Sequence, residues 1–401
     1  MVTVKLFFGI SYLSMPNTFA HCGILGGPIL FTIVIGMNGI TMMQLIRTSE
    51  RHHGVTSYSD LGQRVLGPNG KQLIDVCVLI KQIGACISYL YFVSTLLDFA
   101  VCQSTGTTCY GNRTYMIMLI IPVIIMSAGN SYKFLSLLSI PSIMIAILGM
   151  ICIFFYAFGE LTQGRTSHSD LKYFDLESIL GRIGLAMYIF DGNAIVVNIR
   201  AEAREKKAKY PQILSRAIIF TLSLFIVFST ICYYVYREHS APIFTMSFAP
   251  MNSLIMFILC CVCINAMTSY PVQMLAAFNI LEKFEVLQIA PVQSGASVEV
   301  KNRHAKKEFM RKMIIRSTVI ILTTLVGASV KTFTDFINIA GAIGSVTVAF
   351  VLPEVLYLRE FGDKISTAKR IGCYFIAIFG VIGSTYSIYF SVRKMVQGDF
   401  S

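Results

Sequence analysis

The sequence predicts an all-α polytopic membrane protein of eleven transmembrane helices, ten of them in a 5+5 inverted repeat, with helices one and six broken. Three observations predict it. Of 401 residues, 55% are hydrophobic and only 13% are charged, with a mean hydropathy of +0.68; a soluble domain is closer to half apolar and a quarter charged. The apolar residues gather into runs of about 20, the length that crosses hydrocarbon as a helix. Two of these runs, five apart in order, carry helix-breaking residues at matching places.

The runs are read as spans at 2–22, 24–46, 73–101, 114–129, 133–159, 178–199, 213–236, 249–280, 312–330, 334–358 and 369–392. Together they make one transmembrane domain over 1–401. Repeat one covers about 2–159, repeat two about 178–358, and an extra helix about 369–392. The polar stretch 284–311 reads as a flexible cytosolic loop. The first run starts almost at Met1 without a basic leader, which argues against a cleavable signal peptide.

The net charge of +12 does not point to nucleic acid, because the basic residues sit between apolar runs. With the N-terminus in the cytosol, twenty-three Lys and Arg fall on the cytosolic side and six on the other. That imbalance sets orientation and places the C-terminus outside. The sequon Asn112-Arg113-Thr114 then falls in a non-cytosolic loop, where Asn112 is a glycosylation candidate. The same loop holds Cys102 and Cys109, either a disulfide on the oxidising side or two free thiols. The remaining cysteines have no metal-ligand spacing, and no metal site is expected.

The first run reads "GISYLSMPNTFAHCG" over 9–23. Pro16 removes one backbone N–H and crowds the carbonyl near Tyr12. Ser14 is placed to cap a second half-helix from Met15, with Pro16 in its tolerant first turn. Backbone at Gly9, Ser11, Tyr12, Leu13 and Ser14 would then offer N–H groups and a positive helix end to a carboxylate at mid-membrane. The competing reading is a proline kink that serves packing alone. In the sixth run Phe190, Asp191, Gly192 and Asn193 interrupt apolar sequence. An ionisable residue at that depth is a functional hypothesis by default. These four would meet an α-ammonium or side chain; the plainer alternative makes Asp191 a cap only.

In the third run Lys81 lies about ten residues deep. It either holds a fixed positive charge in place of a sodium ion or snorkels to the cytosol. Ser269 and Gln273 in the eighth run either line the cavity, with a role in ion coupling, or bond between helices.

These motifs resemble the amino acid/auxin permease family, particularly its proton-coupled and vacuolar amino acid transporters. The family's first helix carries G-x-G-x-L-x-L-P-x-A and then glycine; here Gly9, Leu13, Pro16 and Gly23 match, with Ser11 at the second glycine. Phe190, Asp191, Gly192, Val196 and Val197 resemble its sixth-helix pattern, and Tyr210-Pro211 its aromatic-Pro. "SYPVQ", Ser269 to Gln273, resembles F-P-x-Q. Gly341, Ser345 and Pro353 fall as in the tenth helix of relatives. The resemblance covers essentially the whole chain and implies a leucine-transporter-type (LeuT-like) fold. It also implies secondary active transport of small amino acids by proton symport, with sodium the alternative ion. The expected membrane is the plasma membrane or a vacuolar or lysosomal one. No cofactor is expected; the partners are substrate and membrane lipid, with no nucleic acid and no protein partner identified. Departures stand at Phe7, where relatives often have Asn, at Val2, where proton-coupled members often have His nearby, and at Arg200-Ala201, where relatives often have Glu-Asn. With no P-loop, metal cluster or nucleophile–base pattern, an enzyme is not expected. The alternative function is an amino-acid-sensing receptor without substantial transport, signalling through 284–311.

Overall fold

The computed structural model describes residues 2–106, 109–129, 132–163, 170–190, 192–248, 251–283, 298–330 and 332–397. Sixteen α-helices occur there, with no strand among the described residues. They are α1 Val2–Phe7, α2 Met15–Cys22, α3 Gly26–Arg51, α4 Tyr58–Thr105, α5 Asn112–Met118, α6 Ile120–Met126, α7 Tyr132–Thr162 and α8 Leu176–Gly181. After these come α9 Ile183–Ile189, α10 Asn193–Glu202, α11 Tyr210–Tyr236, α12 Ser253–Leu281, α13 Val298–Gly327, α14 Phe333–Ala340, α15 Leu352–Phe361 and α16 Thr367–Gln397.

Seven helical stretches are long and apolar enough to cross a membrane: Gly26–Arg51, Tyr58–Ser104, Ile140–Thr162, Lys207–His239, Ser253–Leu281, Phe333–Phe361 and Thr367–Gln397. This is a multi-pass membrane protein. The other four expected spans take different forms. The first is divided among α1, a 3-10 turn at Ser11–Ser14, and α2. The sixth is divided among α8, α9 and α10. The fourth is the short apolar pair Asn112–Met126. The ninth is the second half of α13, whose first half is charged.

That charged half corrects one expectation. Residues 298–311, assigned to the flexible loop, are helical, while 284–297 lie outside the described residues. The stretch is rich in Lys, Arg and Glu, good helix formers, and Glu308 pairs with Lys312 one turn on at 3.1 Å. A second difference lies before the third span. Helix begins at Tyr58 and turns sharply at Gly67, whose φ of 80° suits glycine. Pro68 then falls in the first turn of the continuing helix, where its missing N–H costs nothing.

Polar side chains tie the helices together where backbone groups would otherwise lack partners. At the α8–α9 junction the Gly181 carbonyl accepts from Asn338 Nδ2 at 2.9 Å and from Ser387 Oγ at 2.8 Å. The Leu185 N–H donates to Asn338 Oδ1 at 2.7 Å. So α14 and α16 are fastened to the α8–α9 junction. Near the end of α12, Arg316 is 1% exposed. Its Nε and Nη2 both lie 2.8 Å from Glu282 Oε1, and its Nη1 donates to the Ser127 carbonyl at 2.6 Å. A buried guanidinium so fully bonded holds α12, α13 and the end of α6 in one arrangement.

Candidate functional site

α1 stops at Phe7 and the 3-10 turn starts at Ser11. The carbonyls of Phe8 and Gly9 accept from Asn265 Nδ2 of α12, at 3.3 and 3.1 Å. The same solution serves the sixth span. α9 ends at Ile189, and the Phe190 carbonyl accepts from Asn38 Nδ2 of α3 at 2.7 Å. Asn193, first in α10, donates to Asn38 Oδ1 at 2.9 Å and to the Ala349 carbonyl at 2.9 Å. Ala349 lies in a π-helical stretch, Gly341–Val351. Backbone that leaves the α-helix inside a membrane must be satisfied by protein, and two asparagines from neighbouring helices do this.

The end of α1 touches Phe190 and Gly192, between α9 and α10. The rings of Phe7 and Phe190 stack at 5.3 Å. A Cβ on Gly192 would fall 2.4 Å from Leu6 Cδ2, so a side chain there would push Leu6 aside. Beside them lies a cavity of about 20 Å³. Of the expected site residues, Gly9, Ser11, Lys81 and Gln273 line it, joined by Tyr89 and Tyr188. Lys81 is 6% exposed, so it does not snorkel. Its stem packs on Gly344, where a Cβ would fall 3.0 Å from Lys81 Cα.

The remaining expected residues divide. Ser269 donates to the Asn265 carbonyl at 2.7 Å, and Ser269 and Gln273 are the polar neighbours of the Tyr89 hydroxyl. Gly192 and Asn193 sit at the start of α10 as described. Phe190 packs in the aromatic wall with Phe225, ring centres 5.7 Å apart. The Tyr12 ring lies 5.1 Å from Phe225, against α11, and Leu13 and Ser14 are buried without lining the cavity. Asp191 lies outside the described residues. Cys102 and Cys109 are paired as a disulfide. Asn112 is the first residue of α5, with its side chain toward Tyr91.

Ser14 requires a correction. It holds the position before α2, but its side chain makes no capping bond. Its φ of −92° and ψ of −6° are helical, whereas a capping side chain needs extended backbone to reach forward. The 3-10 turn runs straight into α2, so the non-helical residues are Phe8 to Ile10 and not those around Ser14.

Sequence reasoning missed Asn38, Asn265 and Tyr89. A lone Asn in an apolar run was the available signal for the first two. It also missed Glu354, which is 1% exposed in α15. Neither of its carboxylate oxygens has a well-placed hydrogen-bond partner among the described residues. Gln44 and Cys373 are its polar neighbours.

A second, wider cavity of about 500 Å³ lies along α4, α10 and α12, with Lys71, Asp75, Val78, Ala194, Asn198 and Lys283 in its lining. Val78 is one helical turn from Lys81 on the same face of α4. The wide cavity therefore ends about one turn short of the small one.

Interrupted helices beside a small pocket in a multi-pass membrane protein are an arrangement that carriers use. The chain matches the family of transmembrane amino acid transporter proteins over residues 1–393. It belongs to that family and is a transporter protein, not an enzyme. Amino acid transporter AVT1D of Arabidopsis thaliana is 23% identical, with 97% of this chain and 68% of the relative covered. Amino acid transporter AVT3A of the same plant is 25% identical, covering 97% and 87%. Vacuolar amino acid transporter 4 of Saccharomyces cerevisiae is 21% identical over 98% of this chain and 57% of the relative. Among solved structures, a Na⁺-coupled sialic acid symporter in a substrate-bound outward-open state superposes with a TM-score of 0.60. It is 11% identical, with 98% of this chain and 88% of that one covered, and the likeness is one of fold.

Proposed function

We propose that this chain carries small amino acids across a membrane by proton symport, with alternating access around the small cavity. The observation that carries the reading is the meeting of Gly9, Ser11, Lys81 and Gln273 in that cavity, beside the backbone between α1 and the 3-10 turn. The N–H groups there, with the positive end of the turn, suit an α-carboxylate. Phe190, Asp191 and Gly192 would face the ammonium or side chain. Asp191 would carry the proton, and Lys81 would hold a fixed charge where other carriers bind sodium. Ser269 and Gln273 would position Tyr89.

A volume of about 20 Å³ admits about one water, so substrate must open the site, and a small side chain demands the least opening. The wide cavity carries Lys71 and Lys283, both on the side that the basic residues mark as cytosolic. In this reading it is the cytosolic vestibule. The proposal includes eleven spans in a LeuT-like 5+5 repeat over 2–159 and 178–358, spans one and six being discontinuous, with the extra helix at 369–392. It places the N-terminus in the cytosol, the C-terminus outside, and glycan at Asn112. The relative called a vacuolar transporter favours a vacuolar membrane.

Uptake into proteoliposomes tests this, using a panel of labelled amino acids with a proton gradient, a sodium gradient or neither. Accumulation of a small amino acid driven by the proton gradient is the expected result. Accumulation driven only by sodium would overturn the coupling ion. Binding with no uptake under any gradient would favour an amino-acid sensor.

A further inference from the structure

A third cavity, of about 550 Å³, opens on the flank of the bundle and shares no lining residue with the two described above. One wall is α3 with α11, and the other is α15 with α16. Its surface is mainly apolar. Ile40 and Ile219 on its rim are 51% and 62% exposed, as expected of side chains that face acyl chains.

Two features make it a built groove rather than a gap. The first is a set of glycines. Gly36, Gly39 and Gly372 all line it. A Cβ on Gly36 or Gly372 would meet nothing within 4 Å, and one on Gly39 only Ile218 at 3.5 Å. Helix packing therefore does not require glycine at any of the three; their effect is to hollow the groove. The second feature is charge. Arg47 and Lys369 both line it, one from each wall, and no Asp or Glu is in the lining. Neither cation has an ion-pair partner among the described residues.

We propose that this groove binds one anionic glycerophospholipid, its phosphate between Arg47 and Lys369 and an acyl chain along Gly36, Gly39 and Gly372. An apolar trough ending in two cations complements a molecule with an anionic head and an apolar tail. A zwitterionic lipid fits the trough but supplies no net charge to the cations. The inference is independent of substrate transport; the proposed orientation enters only in assigning the site to the cytosolic leaflet.

The test uses the purified full-length chain in neutral detergent, with phosphatidylserine, phosphatidylcholine and the water-soluble headgroup glycerophosphoserine as probes. Lipid retention is read by native mass spectrometry, and thermal melting is read alongside it. The expected result is retention of phosphatidylserine in preference to phosphatidylcholine, a rise in melting temperature with the former, and no effect of the headgroup alone. A basic residue near an anionic lipid is worth about fivefold in affinity. Arg47→Gln with Lys369→Gln should therefore weaken phosphatidylserine binding by about 25-fold and remove the preference. These side chains are exposed, so the fold should survive. Gly36→Leu with Gly39→Leu, which fills the trough, should abolish retention of both lipids at the site. Equal retention of the two lipids by the native chain, or an intact preference in the double Gln variant, would overturn the proposal. A headgroup effect equal to that of the whole lipid would overturn it in favour of a free-phosphate site.

Discussion

Replacing Gly9 by alanine should damage the protein through one atom, and removing that atom should repair it. A Cβ on Gly9 would stand 2.6 Å from the Tyr89 hydroxyl oxygen but 3.7 Å from Tyr89 Cζ. The first distance is a clash; the second is ordinary contact. The hydroxyl has little freedom to withdraw, since Tyr89 is 5% exposed and Ser269 and Gln273 stand beside its oxygen. Overpacking of this kind costs about 1–3 kcal/mol. Gly9 is not among the glycines with positive φ, so alanine adds no backbone strain and the clash is the whole effect. Tyr89→Phe removes the oxygen and its polar contacts, at a cost of about 1 kcal/mol. The double variant should then be no less stable than Tyr89→Phe alone, giving a coupling of about 1–3 kcal/mol. Melting of the four proteins in detergent measures this. Gly9→Ala should melt lowest, and Gly9→Ala with Tyr89→Phe should match Tyr89→Phe. Additive losses, or a silent Gly9→Ala, would refute the placement of Tyr89 over the non-helical backbone.

Other substitutions probe neighbouring links. Asn265→Asp keeps the shape of Asn but cannot donate to the Phe8 and Gly9 carbonyls, so it should melt lower by the equivalent of about 1–3 kcal/mol; unchanged melting would show that those carbonyls have other partners. Arg316→Met leaves the buried Glu282 with only Lys312, at 3.9 Å, as a cation and should cost about 3 kcal/mol. Adding Glu282→Gln should recover part of that loss, and no recovery would mean that the loss is one of packing. Asp191→Asn should abolish acid-stimulated uptake, with counterflow retained if the carboxyl carries the proton and lost if it binds the ammonium; wild-type pH dependence would make Asp191 structural. Asn112 should accept glycan in microsomes while a sequon placed within 284–297 should not, and glycan on the latter would invert the orientation.

The membrane class and the long helices were legible because hydropathy acts over some twenty residues at a time. The stretches around Gly9 and Gly192 were also legible, because glycine, proline and polar residues stand out against apolar sequence. Local detail was less so. Pro16 pointed to a half-helix from Met15, and α2 starts there with the proline in its first turn; the 3-10 turn that leads into it leaves Ser14 without a capping bond and puts the irregular backbone at Phe8–Ile10. The stretch 298–311 was read as loop from its charge, although its pairs at helical spacing favour a helix continuing into the ninth span. Asn38 and Asn265 were missed because their roles depend on carbonyls of another helix, more than 150 residues away. No sequence window contains both partners. Lys81 was visible, but the close packing of its stem on Gly344 was not.

The central claim is that substrate binds where Gly9 and Ser11 line the small cavity. Counterflow exchange of a labelled small amino acid tests it most directly, because exchange needs the site but no ion gradient. The measurement compares the native chain with Gly9→Leu together with Ser11→Leu, both reconstituted as monodisperse protein. Bulk at these positions would block a carboxylate from the backbone N–H groups. The expected result is exchange by the native chain and none by the double variant. Native-rate exchange by the double variant would contradict the claim and place the substrate site elsewhere.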